Sequence, residues 1–125
     1  MKTIINTPDA PAPIGPYSQA VAAGNFLFVS GQIALNATTG QLVMDDIKTE
    51  TRQVMENIQT ILAEAGINFS HVVKTSIFLT DMQNFTQVNE VYGTYFKDNF
   101  PARETVQVAG LPKGVNVEIT VTAVK

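Results

Sequence analysis

A strict alternation of apolar and polar residues near the C-terminal end of the chain constrains its fold more than any other feature. The alternating residues are Val115, Asn116, Val117, Glu118, Ile119, Thr120, Val121 and Thr122. Because successive side chains of a β-strand point to opposite faces, this run predicts a strand with one apolar and one polar face. Arg103, Thr105 and Gln107 alternate with Val106 and Val108 in the same way. We therefore predict two late strands, over roughly residues 103–109 and 115–124, separated by a loop rich in turn residues.

Two helices are predicted from a change in the apolar period. From Asp46 onward, apolar residues recur at steps of three and four, which is the stripe of an amphipathic helix. Its residues are Ile47, Thr51, Val54, Met55, Ile58, Ile61, Leu62 and Ala65. Asp45 and Asp46 suit its N-terminus, and Gly66 suits a left-handed C-terminal cap. Asp81 or Asn84 can cap a second helix. The predicted buried side of that helix consists of Phe85, Val88, Tyr92, Tyr95 and Phe96.

The remaining segments complete an α+β fold. Gln19–Ala23 and Phe26–Ser30 flank a turn-forming Gly-Asn pair and predict a hairpin, and Val72–Leu79 predicts a central strand. Thr7–Pro16 is proline-rich and predicts an ordered, extended surface loop. Two helices with one stripe each can cover only one face of a mixed sheet of about six strands. We expect one domain over residues 1–125. The uncovered polar face of its sheet suits a solvent-filled site or a subunit interface.

Composition excludes several kinds of chemistry. The chain has no cysteine, so thiol catalysis, disulfides and thiolate metal sites are excluded. Its single histidine, His71, leaves no His-rich metal site and no His-based triad unless it acts as the only histidine. Eight Lys and Arg against 11 Asp and Glu give a net charge of −3, which lacks the basic surface of a nucleic-acid binder. We expect no metal and no organic cofactor.

The location of the protein is predicted from what the sequence lacks. No run approaches the roughly 18 apolar residues of a membrane span. The short apolar stretch at residues 1–5 is followed by four prolines within residues 6–16, so no signal-peptide core forms. We expect a cytoplasmic protein without a membrane partner.

Arg103 and Glu118 are the strongest candidates for chemistry. If the two late strands form a direct hairpin, Thr105 opposes Glu118, and Arg103 lies diagonal to Glu118 on the same polar face at about 7–8 Å between Cα atoms. If another strand intervenes, the two side chains could meet only through folding or across subunits. An arginine can grip a carboxylate with two parallel hydrogen bonds, and a nearby glutamate can orient a water. The alternative is an exposed cross-strand ion pair worth ~0–1 kcal/mol, which the residue pattern alone favours.

Other candidates carry weaker signals. Tyr17 follows a rigid Pro-Ile-Gly-Pro segment and could wall a pocket, although most such tyrosines simply pack. Ser30 and Gly31 end a predicted strand, where a glycine permits either a close approach by a ligand or a bulge. Asn89 adjoins the buried stripe of the second helix, where asparagines are usually solvated.

Taken together, the motifs of the chain resemble those of the RidA/YjgF family. In chain order they are Ala12-Pro13-Ile14-Gly15-Pro16-Tyr17-Ser18-Gln19, Ser30-Gly31-Gln32-Ile33, Val73-Lys74-Thr75, Val88-Asn89-Glu90-Val91-Tyr92, Pro101-Ala102-Arg103, Leu111-Pro112 and Val117-Glu118-Ile119. The resemblance implies a chorismate-mutase-like α+β subunit and a homotrimer with sites between subunits. It also implies hydrolysis of reactive enamines and imines, such as 2-aminoacrylate, 2-iminopropanoate and 2-iminobutanoate, to 2-oxo acids and ammonia.

The same resemblance assigns roles to individual residues. Arg103 would bind the substrate carboxylate, helped by the backbone N–H of Thr105, and Glu118 would position the attacking water. The residues that would shape the pocket are Tyr17, Ser30, Gly31 and Asn89. No cofactor is implied.

Two departures from the family pattern concern the residues after Arg103. Family members often carry a small residue and then a cysteine where this chain has Glu104 and Thr105. Thr105 keeps the backbone donor but removes any contribution from a thiol. Strand alternation predicts that Glu104 points away from the face of Arg103, so we expect the pocket to survive.

Two other functions compete with imine hydrolysis. The same pocket could sense a small carboxylate in a non-catalytic protein that regulates a transcription factor or a metabolic enzyme. A ribonuclease activity, which has been attached to relatives, is disfavoured by the acidic balance of the chain.

Overall fold

A six-stranded mixed sheet organises the protein, whose computed structural model describes residues 1–125. The elements are β1 (Lys2–Ile5), β2 (Ala20–Ala23), β3 (Phe26–Gln32), α1 (Ile47–Glu64), β4 (Val72–Leu79), α2 (Phe85–Gly93), β5 (Ala102–Gln107) and β6 (Val117–Val124). The strands lie in the order β1-β2-β3-β6-β4-β5, and only β4 and β5 run parallel. The α+β class, the strand number and the mixed sheet are confirmed. The strand β1 was not predicted, because a four-residue edge strand carries too short a pattern.

Local sequence explains where the elements begin and end. The β2–β3 hairpin turns at Gly24, whose φ of 59° lies in the left-handed region. Asp46 caps α1 by accepting a hydrogen bond from the backbone N–H of Thr49 at 2.8 Å, and Gly66 beyond its end has φ 77°. Asp81 caps a short 3₁₀ turn before α2, whereas Asn84 makes no capping side-chain bond. Neither α1 nor any other helix combines the length and apolar character that crossing a membrane requires.

Both helices pack on one face of the sheet, which we call the inner face, and the other is the outer face. The inner-face core residues from the sheet are Leu27, Val29, Ile77, Leu79, Val117, Ile119, Val121 and Ala123, all buried. The helices contribute Val54, Met55, Ile58, Ile61, Leu62, Val88 and Tyr92. Burying these side chains, at about 1.5–3 kcal/mol each, favours the folded state and fixes which face remains open.

The outer face is less polar than predicted. Thr120 and Thr122 lie on it in β6, as the alternation requires, but Phe26 and Phe28 of β3 are 48% and 49% exposed there. Their rings stack with centroids 5.9 Å apart. The prediction failed for this part of the face because it was based on the late strands alone.

Of the two arrangements considered for the late strands, the one with an intervening strand is observed, and the direct hairpin does not form. Strand β4 lies between β5 and β6, pairing parallel with β5 and antiparallel with β6. The inner side of β4 carries Thr75, Ile77 and Leu79, which are fully buried, so this strand needs a neighbour on both sides, whereas β5 is exposed enough to form an edge. The loop after β5 therefore carries the chain across β4 rather than back along β5.

Candidate functional site

The pairing registers of β4 with β5 and with β6 place Arg103 and Glu118 on opposite faces of the sheet. Arg103 pairs with Thr75, which is buried beneath the helices, so its side chain lies on the inner face. Glu118 pairs with Phe78 on the outer face. The predicted shared polar face is therefore wrong within one chain, and the candidate site consists of two separate halves.

The first half is built around Arg103 of β5, whose side chain lies against α2. The Nη1 group of Arg103 donates a hydrogen bond to Oδ1 of Asn89 at 2.7 Å. Its guanidinium carbon lies 5.2 Å from the ring centroid of Tyr92 and 5.6 Å from that of Phe85. These contacts leave further donors of the guanidinium free for a planar anion.

A cleft of about 310 Å³ adjoins this arginine. Its lining residues are Asn89, Tyr92, Gly93, Phe100, Pro101 and Arg103. The hydroxyl of Tyr92 donates to Oγ1 of Thr75 at 3.1 Å, and burial raises the pKa of that hydroxyl. The cleft thus offers one cation among aromatic and amide groups, which suits a small carboxylate.

Thr105 contributes through its backbone, because β5 is an edge strand. The N–H of Val108 donates to the carbonyl of Leu79 at 2.8 Å. Since amides alternate in direction along a strand, the N–H groups of Arg103 and Thr105 point away from β4 to the open edge of the sheet. This arrangement is compatible with the donor role that the family resemblance assigns to Thr105. Its hydroxyl oxygen is buried without a hydrogen-bond partner.

The second half lies on the outer face, where Glu118 packs against Gly31. The register between β3 and β6 shifts between Val29 and Gln32, and this bulge contains Ser30 and Gly31. A Cβ atom on Gly31 would lie 2.7 Å from Oε2 of Glu118, so only glycine leaves this carboxylate its position. Burial raises the pKa of Glu118 above its ordinary value, which makes the carboxylate a better proton acceptor.

Tyr17 and Ser30 lie beside Gly31 with their hydroxyls already engaged. The hydroxyl of Tyr17 accepts from the backbone N–H of Ile14 at 3.1 Å, and that of Ser30 donates to the carbonyl of Ser18 at 2.6 Å. Tyr17 and Gly31 share the lining of one small hollow. The structure therefore brings Tyr17, Ser30, Gly31 and Glu118 together, and separately Asn89, Arg103 and Thr105.

Sequence reasoning missed the buried residue that shapes the loop before Tyr17. The side-chain oxygen of Gln19 accepts from the N–H of Thr7 at 2.7 Å, and its amide nitrogen donates to the carbonyls of Thr7 and Pro11, each at 3.0 Å. Proline-rich loops lack backbone donors, and an amide side chain at the start of the next strand is the feature that could have revealed this tie.

Phe85 and Tyr92 were placed correctly on one stripe of α2, but their contact with Arg103 was missed. Phe85 was predicted to be buried, and it is instead exposed beside the arginine. The signal that could have revealed this contact is the spacing of four and three residues between Phe85, Asn89 and Tyr92.

Glu104 follows its prediction. It lies on the outer face, away from Arg103, where it pairs with Lys74 at 2.9 Å and accepts a hydrogen bond from Ser76. The hydrogen bonds from Ser76 and Lys74 hold the pKa of Glu104 below its ordinary value.

Comparison with known proteins gives a consistent result. Residues 7–125 match the family model described as Endoribonuclease L-PSP. The human 2-iminobutanoate/2-iminopropanoate deaminase is 46% identical over 125 residues, which cover 100% of this chain and 91% of that protein. A Rid-family protein of unknown function from Yersinia pestis is 50% identical, with a TM-score of 0.97 and full coverage of both chains. Escherichia coli TdcF, solved with bound serine, is 40% identical, with a TM-score of 0.94 over 98% of each chain.

The sequence similarity to these relatives extends along essentially the whole chain, and the two solved structures share its α+β fold. The names of the relatives do not agree on one activity: the human protein is named a deaminase, and the Yersinia pestis protein is described as of unknown function. What the relatives have in common is the family, and the chain belongs to the YjgF/RidA family.

Proposed function

We propose that the protein hydrolyses reactive 2-imino acids, such as 2-iminopropanoate and 2-iminobutanoate, to 2-oxo acids and ammonia. The observation that carries the proposal is the guanidinium of Arg103, which Asn89 holds at 2.7 Å beside a cleft while its other donors stay free. A mammalian relative bears the name of this activity, and a bacterial relative was solved with a small amino acid. Both proposed substrates, like serine, carry a carboxylate, which a guanidinium group recognises through two parallel hydrogen bonds.

The proposed active site forms between subunits of a homotrimer. Arg103 and Glu118 lie on opposite faces of one sheet, so only a neighbouring copy can bring a second Glu118 to the cleft of Arg103. The exposed rings of Phe26 and Phe28 give the outer face apolar surface that a second copy would cover. A head-to-tail contact of this kind closes into a ring when its rotation fits, as in a trimer.

In the proposed reaction, Glu118 activates a water while Arg103 holds the substrate. A protonated imine carbon is already electrophilic, so the water needs orientation more than strong activation. Glu118 accepts a proton as the water oxygen bonds to the carbon, and it then returns that proton to the nitrogen. The C–N bond breaks, the hydroxyl proton leaves with ammonia as ammonium, and the 2-oxo acid remains. Seating water and substrate together supplies much of the rate gain.

A coupled assay tests this proposal. A PLP-dependent threonine dehydratase generates 2-iminobutanoate, and the appearance of 2-oxobutanoate is timed with and without this protein. We expect acceleration by the parent, loss of it in Arg103→Ala, and a large loss in Arg103→Lys because an ammonium cannot make the bidentate grip. No acceleration over free hydrolysis, or full activity in Arg103→Ala, would refute the proposal.

A second candidate is a carboxylate sensor without catalysis. The observation that favours it is that the Arg103 cleft is complete within one chain and does not need Glu118. The sensor predicts tight binding of a small 2-oxo acid with no turnover of any imine. A protein partner whose capture depends on that acid and is lost in Arg103→Ala would support it.

A further inference from the structure

The aromatic rings around Arg103 lie on one stripe of α2. Phe85, Asn89 and Tyr92 are spaced by four and three residues, which places them on the same side of a helix. Tyr92 is buried and also belongs to the core, whereas Phe85 is 37% exposed and lies outside the core. Its ring centroid lies 5.6 Å from the guanidinium carbon of Arg103, within the distance of a cation–π contact.

The positive charge of Arg103 is held without an acidic partner. The salt bridges of the chain join Lys48 to Glu90 and Lys74 to Glu104, and neither involves Arg103. Its partners are instead two ring faces and the amide oxygen of Asn89. These groups fix the orientation of the guanidinium without neutralising its charge, so the charge remains available to an incoming carboxylate.

We propose that Phe85 is a positioning residue, which with the Tyr92 ring holds the guanidinium of Arg103 ready for the carboxylate of the substrate. This inference rests on the proposed function in taking the ligand to be a 2-imino acid. An arginine side chain has many rotamers, and fixing one before binding removes that entropy cost from the affinity. Phe85 therefore affects how tightly the carboxylate binds and leaves the breaking of the C–N bond unaffected.

The test compares Phe85→Leu, which removes the ring, with Phe85→Tyr, which keeps it. One readout is the affinity for 2-oxobutanoate, a stable product, measured by calorimetry. The second is ¹⁵N relaxation of the Arg103 Nε–H without ligand, which is simple to assign because Arg52 is the only other arginine. The third is the division of any kinetic effect between KM and kcat. Tyr95→Phe is the matched aromatic control, because its hydroxyl contacts Glu56 and its ring lies outside the Arg103 cleft.

We expect Phe85→Leu to bind 2-oxobutanoate about fivefold more weakly, because the Arg103 side chain must then be ordered on binding. KM should rise by a similar factor with kcat unchanged, and the Arg103 Nε should become more mobile. Phe85→Tyr should restore all three values, and the melting temperatures of the variants should show that each is folded.

Unchanged affinity and unchanged Nε mobility in Phe85→Leu would overturn the inference, and so would an effect on kcat alone. A failure of the proposed function looks different. In that case the parent itself would not accelerate imine hydrolysis, while the affinity and mobility differences between Phe85→Leu and Phe85→Tyr would persist.

Discussion

Gly31 has no room for a methyl group beside the carboxylate of Glu118. We expect Gly31→Ala to displace that carboxylate and lower kcat/KM at least tenfold, because its Cβ would lie 2.7 Å from Oε2. Stability should change little, since the displaced group is the end of a flexible side chain. Gly110→Ala is the control, because a Cβ there meets nothing within 4 Å. Equal kcat/KM in the two variants would show that the position of Glu118 is not important for activity.

The proposed role of Glu118 predicts that activity depends on pH, because its carboxylate is partly buried. Because burial raises its pKa above 4.5, kcat/KM should fall on acidification with an inflection above that value. We expect Glu118→Gln to lower kcat by about 10²–10⁴-fold and to abolish the inflection, as measured in a pH–rate profile.

The same raised pKa predicts that the ionised carboxylate of Glu118 lowers the stability of the folded state near neutral pH. A carboxyl whose pKa is raised by folding destabilises the folded state above its unfolded pKa, where it must be buried as an anion. Glu118→Gln should therefore be at least as stable as the parent near neutral pH, with the difference vanishing at acidic pH. A less stable variant at neutral pH, measured by denaturant unfolding, would contradict this account.

The side chain of Glu50 connects helix α1 to the start of strand β6. Its buried carboxylate accepts hydrogen bonds from the backbone N–H and the side-chain amide of Asn116, both at 2.8 Å, and from the N–H of Val117 at 3.2 Å. We expect Glu50→Ala to lower the free energy of unfolding by about 3 kcal/mol, because it leaves buried donors unpaired. Glu64→Ala, an exposed change on the same helix, is the control for denaturant unfolding. Equal stability of the two variants would contradict the role of Glu50.

Glu50 also shows where sequence analysis reaches its limit. The stripe from Ile47 to Ala65 predicted α1 almost residue for residue, because helix period and capping are local properties. A glutamate beside that stripe is indistinguishable from a solvated one until β6 is placed against it. The order of β5, β4 and β6 is likewise non-local, which is why each late strand was predicted while two arrangements of the pair stayed open.

At the scale of the whole molecule, the separation of the two half-sites gives a direct test of assembly. We expect native mass spectrometry to show a trimer. The variants Arg103→Ala and Glu118→Gln should each be inactive alone. When the two are unfolded, mixed equally and refolded, about a quarter of the parent activity should return. That is the fraction of interfaces in which an intact Arg103 meets an intact Glu118 of the neighbouring subunit. A site confined to one chain would regain nothing, and a monomer at micromolar concentration would refute the proposal.

The single strand of separation between β5 and β6 has a consequence for how such a protein can diverge. In the proposed reaction, recognition depends on the cleft around Arg103 and chemistry on the surface around Glu118, which lie on opposite faces of the sheet, so mutations can accumulate on one without disturbing the other. A descendant could accept a differently shaped molecule while inheriting the proposed hydrolytic step, or lose that step and survive as a receptor. Relatives with one backbone and diverse duties are the expected outcome of that independence.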